Sequence, residues 1–122
     1  MLKLLLYNGT LIKYQQGADM KLGEWEVFFS DQVKKWLDNL EDEKAVRIAE
    51  EIQLLSNLGN MVRPPHSKAL GDGLFELRER RFGMRVYYCF HGKKCIILLL
   101  AGDKQSQKRD IQNARKQKEE LK

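Results

Sequence analysis

Three runs with strand-like alternation, 74–81, 84–90 and 94–100, follow one another with only Phe82-Gly83 and a turn about Gly92-Lys93 between them. Connections that short leave no room for a crossover, so the three strands must pair antiparallel, each with its neighbour in sequence. The last run, Ile96 to Leu100, is apolar at every position and so belongs where both faces of the sheet are covered. This meander is the frame to which the rest of the chain has to be fitted.

Upstream, residues 24–29 read as a short strand, and Ser30 is suited to cap a helix whose apolar positions Val33, Trp36, Leu37 and Leu40 keep helical spacing. The acidic Glu41-Asp42-Glu43 then opens a second helix carrying Ala45, Ile48, Ala49, Ile52 and Leu55, which Asn57 and Gly59 stop. Together they predict a helical hairpin with one apolar face. Residues 60–73 hold both prolines as well as Gly71 and Gly73, and read as a loop. Ser106 is placed to cap a C-terminal helix with Ile111, Ala114 and Leu121 as its apolar contacts; such a helix is marginal alone and must dock or fray. The predicted class is α+β: an N-terminal helical hairpin packed on a small antiparallel sheet, with a C-terminal helix. A length of 122 residues fits one core. Residues 20–122 form that domain, and 1–19 are a leader or arm, Met20 being an alternative start.

Charge divides the chain. Residues 1–62 carry 7 Lys/Arg against 10 Asp/Glu, whereas residues 63–122 carry 15 against 7. The basic half suggests an acidic partner, and nucleic acid is the commonest. Cys89 and Cys95 flank the second turn; if the strands pair across Gly92-Lys93, Phe90 faces Cys95 and Cys89 faces Ile96, so the thiols lie on opposite faces and a reducing cytoplasm is the expected setting. With only His66 and His91 beside them, no metal-ligand spacing emerges. The opening MLKLLLYNGT is too short an apolar run to span a membrane, and a soluble protein is expected.

Alternation along the strands sends Phe75 and Leu77 one way and Glu76, Arg78 and Arg80 the other. In the next strand Met84, Val86, Tyr88 and Phe90 form the apolar set, opposite Arg85, Tyr87 and Cys89. If both apolar sets cover the hairpin, the other sheet face displays Glu76, Arg78, Arg80, Arg85 and Tyr87 together. Such a face offers bidentate phosphate contacts and a phenol that stacks or hydrogen-bonds. The competing reading is a charged face bathed in water, with Glu76 and Glu79 neutralising their neighbours.

The segments LGDGLFELR (70–78), RVYY (85–88) and LLAGDK (99–104), followed by Asp110, Ile111 and Ala114, together resemble the RelE/ParE toxin superfamily, in its HigB-like branch of phage Gp49-like proteins and addiction-module killer proteins. WEVFFSDQVKKWLDNL, residues 25–40, is similar to the opening of the same branch. The resemblance implies the toxin half of a type II toxin–antitoxin pair. Such a toxin is a metal-independent mRNA endoribonuclease acting in the ribosomal A site, without a cofactor, and is silenced by a protein antitoxin, often with a helix-turn-helix. A ribose 2′-oxygen would attack the adjacent phosphate, leaving a cyclic phosphate and a free 5′-hydroxyl. Arg78 and Arg85 match the family's strand cations, and Lys104 a basic position after the last strand. Glu76 stands where other members have a lysine, as a carboxylate base or as an ion-pair partner of Arg78. The tyrosine that some relatives carry in the last helix falls near Ile111 here, which leaves Tyr87 and His66 as candidates for acid–base work. Lys68, Arg80, Arg81, Lys108, Arg109, Arg115 and Lys116 are candidate RNA contacts. Two other readings stay open: a ParE-like poison of gyrase, since one fold serves both tasks, and an inactive antitoxin-binding relative.

Overall fold

A computed structural model describes residues 4–7, 10–13 and 25–121. Leu4–Tyr7 (β1) and Thr10–Lys13 (β2) pair antiparallel as a separate two-stranded sheet. Most of residues 1–19, with Met20, lies outside the described residues. The main sheet has five strands: Glu26–Phe29 (β3), Ser67–Gly71 (β4), Leu74–Glu79 (β5), Met84–Phe90 (β6) and Cys95–Asp103 (β7). Their order is β3-β7-β6-β5-β4, antiparallel except that β3 joins β7 in parallel.

The helical hairpin forms where its local signals stand. Ser30 caps Asp31–Asp38 (α1), its hydroxyl accepting from Val33 N at 3.2 Å. Asp42–Leu58 (α2) ends at Gly59, whose φ of +53° favours glycine. The site is also closed sterically, because a Cβ there would collide with the Trp25 indole. Leu37, Ile48, Ile52 and Leu55 on the helices pack against Leu77, Val86, Ile96 and Leu98, all but fully buried. Burial of that kind is the main stabilising term in the fold.

Several expectations need correction. Residues 67–71, read as a loop, form edge strand β4; neither its composition nor a clear alternation marks it, and its partner β5 supplies the backbone hydrogen bonds. Strand β5 stops at Glu79 and does not run to Arg81, because the Glu79 carboxylate accepts from Arg81 N at 2.8 Å and Phe82 N at 2.9 Å and folds the chain into a turn. The β6–β7 register is one residue from that expected: Phe90 stands opposite Ile96 and Cys89 opposite Ile97. His91 N donates to Cys95 O, and positive φ at both Gly92 and Lys94 lets the turn hold the extra residue. Both cysteines are free thiols.

Strand β7 also runs three residues past its expected end. Between the pairs Tyr88–Leu98 and Tyr87–Leu100 the register slips, leaving Leu99 as an extra residue. Leu99 and Leu100 consequently lie in the same cluster, away from the helical hairpin, while Ala101 returns to the hairpin side. Beyond the last β3 pair, the edge of β7 is occupied by side chains from the start of α1. The Ser30 hydroxyl donates to Leu99 O, and the Gln32 amide both donates to Ala101 O and accepts from Ala101 N, at 2.9 and 2.8 Å.

Gln107–Glu120 (α3) docks on the second face of the sheet. Ser106 precedes it but makes no side-chain capping bond; Asp103 Oδ1 instead accepts from Gln105 N and Ser106 N. The Ser106 hydroxyl donates to the Asp110 carboxylate, and both crowd Gly102, where a Cβ would collide with Asp110 Oδ2. No described helix is long and apolar enough to cross a membrane.

Candidate active site

Cross-strand register sets the problem that the site solves. Arg78 stands directly opposite Arg85, a like-charge pairing that costs up to about 1 kcal/mol unless something intervenes. Glu76 intervenes. Wholly buried, it receives Arg78 Nε on Oε1 at 2.6 Å, lies 3.5 Å from Arg85 Nε through Oε2, and accepts from Gln107 Nε2 on Oε2 at 2.8 Å. Arg85 Nη1 donates to Gly83 O at 3.0 Å, at the turn where φ of +75° requires glycine. Both guanidiniums are thereby held at the mouth of an open cleft of about 380 Å³ lined by Pro65, Arg78, Arg80, Gly83, Arg85 and Lys104. Four cations stand there against one carboxylate, so the cleft selects anions.

The structure thus brings together Arg78, Arg80, Arg85 and Lys104, with Glu76 beneath them. It separates the other candidates. Tyr87, expected on an open face, is instead buried completely, because α3 covers that end of the sheet. Burial first, then the charges of Glu76 and Asp110, push its phenol well above the usual tyrosine range, so it stays protonated. His66 turns away to α2, its Nδ1 2.9 Å from Glu51 Oε2. Burial raises the Glu51 carboxyl, and the His66 contact only partly offsets this. The His66 main-chain oxygen accepts from Arg78 N at 2.8 Å, so this residue shapes the cleft through its backbone.

Among the candidate RNA contacts, Arg81 pairs with Glu43 at 3.1 Å and lies over the Phe82 ring. Arg115 donates to Leu70 O at 2.6 Å and Gly71 O at 3.2 Å, fastening α3 to the β4–β5 turn. Lys68 is exposed on β4 and Lys108 on α3, while Arg109 lines a second cleft beside Trp36. Ile111 packs in the cluster between α3 and the sheet. Among the described residues no group of three or more His, Cys, Asp or Glu is gathered as a metal-ligand set. Pro65, Gly83 and Gln107 join the site although sequence reasoning does not nominate them; Gly83 alone carries a local signal, its turn.

Residues 35–122 match the family described as phage-derived protein Gp49-like (DUF891). An uncharacterized protein of Haemophilus influenzae is 36% identical over 90 residues, covering 70% of this chain and 85% of its own. The isolated RelE toxin of E. coli superposes with a TM-score of 0.53 at 14% identity, over 72% of this chain and 96% of RelE. The RelBE2 toxin–antitoxin complex of Mycobacterium tuberculosis gives 0.43 at 20% identity, over 70% of this chain and 98% of the matched chain.

Proposed function

The chain belongs to the phage-derived Gp49-like family, and on that footing we propose that it is the toxin of a toxin–antitoxin pair, a HigB-like endoribonuclease that cuts mRNA on the ribosome in the cytoplasm. The observation that carries the reading is the convergence of Arg78, Arg80, Arg85 and Lys104 on one cleft, with Glu76 holding two of them in place. Cleavage by a 2′-oxygen raises the negative charge on the phosphate, and preset cations in a partly enclosed site stabilise that change without reorganising. Arg78 and Arg85 flank the scissile phosphate, and Lys104 serves the leaving 5′-oxygen. Glu76 acts as the counter-ion of both guanidiniums, hydrogen-bonded to Arg78 and 3.5 Å from Arg85. A protein antitoxin, of helix-turn-helix type, silences the toxin.

A second reading, a catalytically silent antitoxin-binding relative, draws on the burial of Tyr87 and Glu76 and on the packing of Ile111. One experiment separates them: inducible expression in a bacterial host, with primer extension on a translated reporter. Cleavage within codons should fall on the order of 100-fold or more in Arg78→Ala/Arg85→Ala. Uncut mRNA with growth arrest would overturn the nuclease in favour of a gyrase poison, and absence of arrest would favour the silent relative.

A further inference from the structure

The geometry points to Gln107 as a positioning residue of the cationic cleft: by donating to Oε2 of Glu76 it competes with Arg85 for that oxygen, so that Arg85 stands 3.5 Å off and turns its charge to the ligand. The inference rests on the reading of the cleft as a phosphodiester site given above.

Glu76 divides unequally between its two arginines. Oε1 makes a short, charge-assisted hydrogen bond with Arg78 Nε, at 2.6 Å. Oε2 lies 3.5 Å from Arg85 Nε, and that buried N–H has no hydrogen-bond partner among the described residues. A buried donor left open beside an acceptor calls for an explanation. Two contacts supply it. The Gly83 carbonyl holds Nη1 at the other end of the guanidinium, and Gln107 Nε2 sits on Oε2 at 2.8 Å.

The chemistry of the amide fits this task. A glutamate at 107 would cancel another positive charge in the cleft, and a lysine would compete with both arginines for Glu76. A neutral donor takes up the acceptor and leaves the net charge unchanged. Gln107 lies in the first turn of α3, so the poise of Arg85 depends on a residue from outside the strand pair that carries the arginines.

The test uses Gln107→Met, which keeps length and volume and removes the donor, in the full chain labelled with nitrogen-15. The Arg85 Nε–H resonance should move downfield as Oε2 closes on it, while that of Arg78 stays in place. Affinity for a short 2′-O-methylated RNA, which cannot be cut, should fall about tenfold, as expected for a lost charge-assisted contact. An unmoved Arg85 resonance in the folded variant overturns the inference. If wild type binds the RNA neither free nor in the ribosomal A site, yet the resonance moves as expected, the positioning role holds and the phosphodiester reading falls. Should Gln107→Met fail to fold, Gln107→Asn, with its amide one methylene short, must give the same downfield shift or the role is refuted.

Discussion

The sheet face against α1 and α2 is apolar over most of its length, with the Glu79 carboxylate at the end of β5, whereas the face against α3 changes character partway along its strands. On the first, Leu77, Val86 and Ile96 meet the helical hairpin in the main apolar core. On the second, Leu74, Cys89 and Leu99 pack under α3, but the neighbouring positions on β5 and β6 are Glu76, Arg78 and Arg85. The difference shows how a small domain obtains both stability and a charged cleft from one sheet. α3 covers the second face at one end and stops at Gln107, so the arginines beyond its first turn remain at the cleft.

The comparison breaks most sharply at Leu77. Leu77→Ala, on the apolar face, should lower stability by about 3 kcal/mol in a urea titration, with activity per folded molecule retained. If RNA cleavage fell as steeply as stability, the two faces would not be separable. Next in size is Arg115→Ala, which removes the two bonds holding α3 to the β4–β5 turn. A loss of about 1 kcal/mol on thermal melting is expected, with RNA affinity unchanged. A marked drop in affinity would return Arg115 to the RNA-binding surface.

The smallest effect sharpens the boundary behind the cleft, at Glu51. Its folded pKa is raised, so it favours folding while protonated, and that contribution is lost as pH climbs through the raised value. The stability of wild type relative to Glu51→Gln should therefore decline as pH rises through the acidic range above the ordinary glutamate value. Urea midpoints measured across that range check it; a difference that grew with pH would mean that the His66 contact dominates over burial.

What the sequence discloses follows the reach of each signal. Ser30 and Gly59 act on their own backbone, and the hairpin they bound is predictable from them. Strict alternation on either side of a tight turn is enough to make Arg78 and Arg85 neighbours on one face. β4 leaves no such mark, because its hydrogen-bond partners lie in β5 and not in any pattern of its own. Tyr87 looks open from alternation alone because α3 has few apolar residues; polar contacts from Gln107 and Arg115 help dock the helix, and they cannot be counted as hydrophobic periodicity. The partner of His66 is Glu51, on a helix that ends well before it, so only the tertiary fold shows that its imidazole is engaged.

The Gln32 amide on Ala101 has a consequence for association between chains. An unpaired strand edge is a template on which another polypeptide can extend a sheet. Here one side chain satisfies both backbone groups of Ala101, and the Ser30 hydroxyl takes the carbonyl of Leu99, so the stretch of β7 that outruns β3 offers no vacant rung at either residue. Growth of this sheet by strand addition is left to the outer edges of β3 and β4, and the border nearest the Lys104 loop is sealed by a glutamine that imitates a strand.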